Sequence, residues 1–273
     1  MKQPIIFLHI PKSGGSTFHT ILRKKFKKPE IYNIFGARNH DPEVIKFVEL
    51  AEAEREKIGL LKGHMPFGLH QHLPGAAKYI SFLRDPVDAV VSRYYYIKKN
   101  AHNPKHEQVH GAGMSISEFV TSGVVFGTNN CHCRFLTGEI DRLSYGENKD
   151  LYQNAIDNIE RHFLWVGITE RFDESILVLA ELLGWKKPPY YIKQNVNTAR
   201  KSKPRLSDDD RKIIASYNQD DQALYQYANE KLDAQINKIA DFDQKLADFQ
   251  KVNQKISRRY AWLPDNLQQL FVG

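Results

Sequence analysis

Residues 4–18, PIIFLHIPKSGGSTF, decide the fold. Pro4 to Ile10 is a short, almost continuous apolar run, which fits a strand buried on both faces of a parallel sheet. It ends at Pro11, and Lys12-Ser13-Gly14-Gly15-Ser16-Thr17 follow. Beyond them Phe18, Ile21, Leu22 and Phe26 fall near one face of a helix. A strand, a Gly/Ser/Thr loop holding one lysine, and a helix form an anion cradle. The glycines let the backbone approach an anion closely, the first helical N–H groups point at it, and the helix dipole favours negative charge there. Lys12 adds a full positive charge, and the hydroxyls add donors. The lysine precedes the glycines and no glycine stands five residues ahead of it, so the Walker pattern is not met. The dinucleotide pattern GxGxxG is absent as well. The competing reading is an ordinary glycine turn.

Outward from this stretch, Ile58–Gly63 reads as a second strand running into Gly63-His64-Met65-Pro66-Phe67-Gly68. Tyr79–Leu83 reads as a third, running into Arg84-Asp85-Pro86. Pro86 suits a first helical turn and Asp85 its N-cap, which predicts a helix over Val87–Lys99 with Ser92 two turns in. Phe163–Ile168 reads as a fourth strand, followed by an amphipathic helix, Glu170–Leu183, stopped by Gly184. Open α/β sheets bind ligands at the carboxyl ends of their strands, so the junctions at Lys12, His64 and Arg84 stand out. Pro29–Asn39 reads as loop, Pro42–Lys57 as one polar helix, and Ala101–Met114 as a mobile loop. Ser115 and Glu118 form a capping box for a short helix. Asn129–Thr137 and Asp150–Arg161 read as further helices. Asn195–Arg205, NVNTARKSKPR, is a basic loop, and Ser207 caps the helix after it.

Gln219 to about Arg259 reads as one long helix. Its apolar positions step by three and four through Ile239, Phe242, Leu246, Phe249, Ile256 and Tyr260, with Asn253 on the same seam. Such a stripe packs either on its own domain or on a second copy in a homodimer. The expected division is therefore 1–218 for the α/β domain and 219–273 for a C-terminal helical extension.

The chain has 273 residues, 41% of them hydrophobic, which suffices for a sizeable core. Formal net charge is +7 and the pI about 9.2, which points to anionic partners or to a basic but inert surface. The two cysteines, Cys131 and Cys133, stand in a CxC spacing that is poor for an intrachain disulfide and supplies only half a zinc site. Reduced thiols and a cytoplasmic location are expected. The opening MKQPIIFLHIPK is too soon interrupted for a signal peptide, and no run of eighteen apolar residues predicts a membrane span.

HIPKSGGST after a strand, GHMPFG at a second and SFLRDPVDAVVSRYYY at a third together resemble the sulfotransferase family. More narrowly they resemble the heparan sulfate 2-O- and 6-O-sulfotransferases and their soluble bacterial relatives, as do VGITERFDESILVLAELLG and the NVNTAR loop. The resemblance covers residues 4 to about 205. It implies an α/β, P-loop-like three-layer fold with a central parallel sheet. It also implies the donor 3′-phosphoadenosine 5′-phosphosulfate (PAPS), the product PAP, and an acceptor hydroxyl on a carbohydrate. Family roles carry over to Lys12, Ser13, Gly14, Gly15, Ser16 and Thr17 for the 5′-phosphosulfate, and to Arg84 and Ser92 for the 3′-phosphate. His64 matches the catalytic base, and Arg200 and Lys201 are candidates for closing over the nucleotide. No metal, nucleic-acid partner or membrane span is implied.

The chemistry of sulfuryl transfer suits these residue types. Transfer is in-line with charge on the leaving oxygen, so Lys12 fits near that charge and histidine fits the removal of an alcohol proton near neutral pH. Each assignment has an alternative: a structural ion pair for Arg84, a small packed residue for Ser92, a buried turn residue for His64. His9, His70 and His72 read as structural or exposed. Asn130 and Arg134 in NNCHCRFLTG resemble an acceptor-region segment of the family, from which CHC departs. Two other functions stay open at this level: a nucleotide-dependent phosphotransferase on a similar fold, and a non-catalytic nucleotide- or polyanion-binding protein.

Overall fold

A computed structural model of the chain describes residues 3–36, 38–140, 150–192, 206–260 and 262–263. Five strands form one parallel sheet: β1 (Ile5–Leu8), β2 (Ile31–Phe35), β3 (Leu60–His64), β4 (Lys78–Leu83) and β5 (Phe163–Ile168), in the order β2-β3-β1-β4-β5. Ile5 pairs with Leu60 on one side and Lys78 on the other. The central strand β1 is buried at all four positions, as its apolar run predicts. Helix α1 (Gly15–Lys25) follows it and packs Phe18, fully buried, edge-on against Phe7 and Phe82 with centroids 4.7 and 5.0 Å away. Trp165 of β5 completes this aromatic cluster. The chain turns to one side of β1 for β2 and β3 and to the other for β4 and β5. The carboxyl ends of β1 and β4 therefore flank the switch point where open α/β sheets bind ligands.

Four expectations are corrected. Within residues 29–39, read as loop, Ile31–Phe35 form β2, an edge strand. Only Ile34 of β2 is buried and Phe35 is 68% exposed, so it lacks the apolar run that marks the inner strands. Residues 42–57 form two helices, α2 (Pro42–Val48) and α3 (Glu52–Arg55), separated by an extended Ala51. The break lets Val48 and Leu50 both pack against the core. Residues 101–114 contain a π-helical turn, Glu107–Gly111, pinned by fully buried Val109 and by the Tyr94 hydroxyl donating to the Met114 carbonyl at 2.7 Å. It packs on α4 (Pro86–Lys99) and α5 (Ile116–Thr121) around a second apolar cluster that includes Tyr94 and Phe119.

The fourth correction concerns the long C-terminal helix. It is two helices, α10 (Gln219–Ile236) and α11 (Phe242–Tyr260), because the chain reverses over 237–241 with Asp241 in the left-handed region at φ 53°. Aspartate tolerates that conformation, so no glycine or proline marks the break. The reversal buries Phe242 and Phe249 in the core shared with the sheet, and the Tyr191 N–H donates to Asn253 Oδ1 at 3.1 Å. The apolar stripe is thereby covered from within the chain. The remaining helices are α6 (Cys131–Thr137), α7 (Leu151–His162), α8 (Phe172–Leu182) and α9 (Asp208–Ser216). The described helices include none long and apolar enough to cross a membrane.

Candidate functional site

The loop between β1 and α1 has a backbone geometry that an anion could use. Lys12 and Gly14 both adopt positive φ, 72° and 73°. The two left-handed residues turn the chain sharply enough for α1 to begin at Gly15. Among the described residues no side chain caps that end, and the first turn of α1 carries no acid. The N-terminal N–H groups and the positive end of the dipole thus face the carboxyl edge of the sheet. Lys12 Nζ lies 4.3 Å from the centre of the Tyr96 ring, a cation–π contact with a residue 47% exposed on α4. Ser13 is fully buried, Thr17 is buried and Ser16 is exposed.

Arg84, at the end of β4, reaches across the switch point. Its Nη1 donates to the Lys12 carbonyl at 3.1 Å and so ties the two loops together. Its other contacts are longer: Nη2 to Asp88 at 3.7 Å and Nε to Glu170 at 3.7 Å. Arg84 Nε is buried and has no hydrogen-bond partner among the described residues. A half-buried guanidinium with its buried Nε–H unused suits an anion that would supply the missing acceptor. Burial raises the Glu170 carboxyl above the usual range, although Tyr225, Arg84 and the Asp85 N–H all favour its charged form. The ion-pair reading of Arg84 is thus present in the structure, beside a spare donor. Asp85 caps α4 by accepting from the Asp88 N–H at 2.9 Å, and Ser92 lies half-buried on the same helix.

His64 closes β3, the neighbour of β1. Its Nδ1 lies 2.7 Å from the His9 carbonyl oxygen. A carbonyl only accepts, so Nδ1 carries the proton and Nε2 keeps its lone pair. Burial holds the His64 pKa below the usual 6.5, against the opposing effect of this hydrogen bond. A neutral imidazole with a fixed tautomer and a free Nε2 is the form a general base needs. The His9 ring stacks on His64 at 4.3 Å. His9 also touches the cradle, because a Cβ placed on Gly15 would fall 1.8 Å from His9 Nε2. Gly15 is therefore required by the approach of a histidine.

The structure thus brings Lys12, Ser13, Gly14, Gly15, Arg84 and His64 to one edge of the sheet. Arg200 and Lys201 lie outside the described residues. Three participants escaped the sequence reading. His9 reads from the sequence as structural or exposed, Tyr96 carries no signal there beyond its place in a run of three tyrosines, and CHC departs from the family's pattern. The signal for His9 was present: it is the one polar residue inside an otherwise apolar strand run. The CHC segment is explained by contacts. Ser13 Oγ of the cradle lies 3.4 Å from His132 Nε2, and His132 Nδ1 lies 3.3 Å from Asp221 Oδ2, not aligned as a hydrogen bond. Asp221 accepts from the His132 and Cys133 N–H groups at 2.9 and 2.8 Å, supplying the cap that Asn130 does not give α6. Burial pushes the Cys131 thiol up to about 11 and raises Cys133 as well, so neither is a ready thiolate.

Comparison with known proteins gives a consistent family. The family model described as Galactose-3-O-sulfotransferase matches residues 1–260. Human galactose-3-O-sulfotransferase 2 is 27% identical over 85% of this chain and 61% of its own length. Human galactosylceramide sulfotransferase is 26% identical over 84% of this chain and 56% of its own length. The chain therefore spans about three fifths of these relatives. Mouse sulfotransferase SULT7A1, solved in complex with PAP, superposes with a TM-score of 0.39 at 18% identity, covering 79% of this chain and 63% of that one. The matching model names a galactose branch, where the motifs by themselves resembled the heparan sulfate 2-O and 6-O branch. The chain belongs to the galactose-3-O-sulfotransferase family.

Proposed function

We propose that this chain transfers a sulfuryl group from PAPS to a hydroxyl of a galactose-type saccharide. One observation carries the reading: a neutral histidine, His64, whose Nε2 bonds none of the described residues, is joined through the His9 ring to an anion cradle at the end of the adjacent strand. A nucleotide-binding protein without catalysis has no use for that base. The relatives' names, both built on galactose, support the acceptor class.

When bound, the donor supplies the activated sulfuryl group, and the loop Lys12–Thr17 would hold its 5′-phosphosulfate, with Arg84 and Ser92 at its 3′-phosphate. His64 Nε2 takes the proton of the acceptor hydroxyl as that oxygen attacks. The His9 carbonyl keeps the opposite nitrogen protonated, so His64 cannot present the wrong tautomer. Lys12 and the first N–H groups of α1 meet the charge that grows on the leaving phosphate oxygen. Lys12 leaves the Tyr96 ring for that oxygen, a short exchange of one weak contact for a charged one. A cytoplasmic location belongs to the same proposal, supported by two free, buried thiols.

The test has two arms. Calorimetric titration should show adenosine 3′,5′-bisphosphate binding far more tightly than AMP or ATP. Incubation with PAPS and a panel of glycans should add one sulfate to galactose-terminated acceptors and none to heparan-type chains. No preference for the 3′-phosphate would remove the donor class, and sulfation of heparan-type chains alone would remove the acceptor class.

A further inference from the structure

Behind the cradle runs a chain of part-buried basic groups with a defined direction. Lys62 Nζ lies 3.2 Å from His19 Nδ1, and His19 Nε2 lies 3.0 Å from His9 Nδ1. Lys62 projects from the buried strand β3, 6% exposed, and His19 from α1. An ammonium group only donates, so His19 Nδ1 must accept. A neutral imidazole with one accepting nitrogen carries its proton on the other, so His19 Nε2–H donates to His9 Nδ1. The same rule then places the His9 proton on Nε2. That nitrogen occupies the space a Cβ of Gly15 would fill, at the first residue of α1. The chain therefore ends in an N–H at the wall of the anion cradle. Each bond polarises the next, so the charge on Lys62 strengthens the terminal donor.

We propose that His9 is a further donor-binding residue: its Nε2–H, oriented by His19 and Lys62, bonds an anionic oxygen held over the first turn of α1. The inference rests on the reading of this cradle as the seat of the 5′-phosphosulfate. His19 and Lys62 are positioning residues that act through His9. Burial keeps the chain in the required protonation. It lowers the His19 pKa to about 3 and the His9 pKa well below 6.5, while Lys62, lowered to about 8, stays charged at neutral pH. The alternative for a part-buried Lys–His–His row is pure packing. Packing does not require Gly15 to make room for a ring nitrogen.

Two measurements on the full chain test it. In free protein labelled uniformly with ¹³C and ¹⁵N, NMR should show His9 as the Nε2–H tautomer, its ring signals assigned by correlation with its own backbone. An Nδ1–H tautomer would overturn the inference even if the variant fails to fold. Next, adenosine 3′,5′-bisphosphate and adenosine 3′-monophosphate are titrated into wild type, His9→Phe and Lys62→Met. His9→Phe keeps the ring stacked and loses the donor. Both variants should bind the bisphosphate about ten- to a hundredfold more weakly, the loss of one hydrogen bond to a charged group. Binding of the 3′-monophosphate, which has nothing to place at α1, should not change. Equal losses for both nucleotides, or none for either, would overturn the role of His9. Failure of the wild type to bind the bisphosphate overturns the function proposed above and this inference with it. Wild-type binding with an unaffected His9→Phe overturns this inference alone.

Discussion

At the scale of single residues, the roles proposed for His64 and Arg84 differ by geometry. The His64 Nδ1 proton is committed to the His9 carbonyl, so His64→Ala should remove the base and little else. The expected loss in kcat is about 10²- to 10⁴-fold, with affinity for adenosine 3′,5′-bisphosphate within about twofold of wild type. Lost nucleotide affinity would make His64 a structural residue. Because burial lowers the His64 pKa, the acid limb of kcat/KM should fall below pH 6.5, and a limb above 7 would contradict the neutral-base assignment. Arg84→Ala should weaken the bisphosphate far more than AMP. Similar losses for both would leave Arg84 as the strut that its bond to the Lys12 carbonyl already makes it.

At the scale of elements, two pieces hold the site. Helix α1 is fixed to the sheet by Phe18, fully buried between Phe7 and Phe82. Phe18→Ala should cost about 3–5 kcal/mol in denaturant unfolding, as a large cavity does, and should loosen the cradle at the same time. A loss below 1 kcal/mol would mean that α1 is anchored elsewhere. Helix α6 is capped by Asp221, a residue of α10 that lies 88 positions beyond Cys133. Asp221→Ala strands two buried N–H groups and should cost about 2–4 kcal/mol for the pair. Wild-type stability in that variant would show that water replaces the cap. The short helices with their own signals are a contrast. Ser115 and Glu118 make the capping box that their spacing announces.

At the scale of the molecule, acid is the weak side. Burial lowers the pKa of His9, His19, His64 and His132, and His70 and His162 are lowered too. Their folded values lie below 6.5, so the unfolded chain binds more protons than the folded one below that pH. Stability therefore falls as pH drops through 6.5, by about 1.4 kcal/mol per pH unit for each fully neutral histidine. Between pH 7 and 5.5 the thermal midpoint should drop by several degrees, before the carboxylates titrate. An unchanged midpoint would mean that these rings are as easily protonated folded as unfolded. Lys62 acts in the other window. Its pKa near 8 means that its unfavourable charged burial is relieved as pH rises from 8 towards 10.

The sequence by itself determined the parallel α/β class, the inner strands and the anion loop. Apolar runs, glycines and caps are local signals, and residues 4–18, 60–64 and 78–86 carry them intact. Its candidates His64, Lys12 and Arg84 came from a resemblance to family motifs, each of which stands where a strand ends. The tertiary structure decided what depends on residues distant in the chain. It made β2 a strand, since an edge strand is paired on one side only and has no continuous apolar run to read. It folded α11 back from α10 at an aspartate that tolerates positive φ, because burial of Phe242 and Phe249 outweighs helix continuation. It assigned the CHC segment to a cap supplied from α10. It joined His9, His19 and Lys62 into one hydrogen-bonded row across β1, α1 and β3. Proton position in such a row is set by which donor meets which acceptor in space, and one-dimensional spacing holds no record of that.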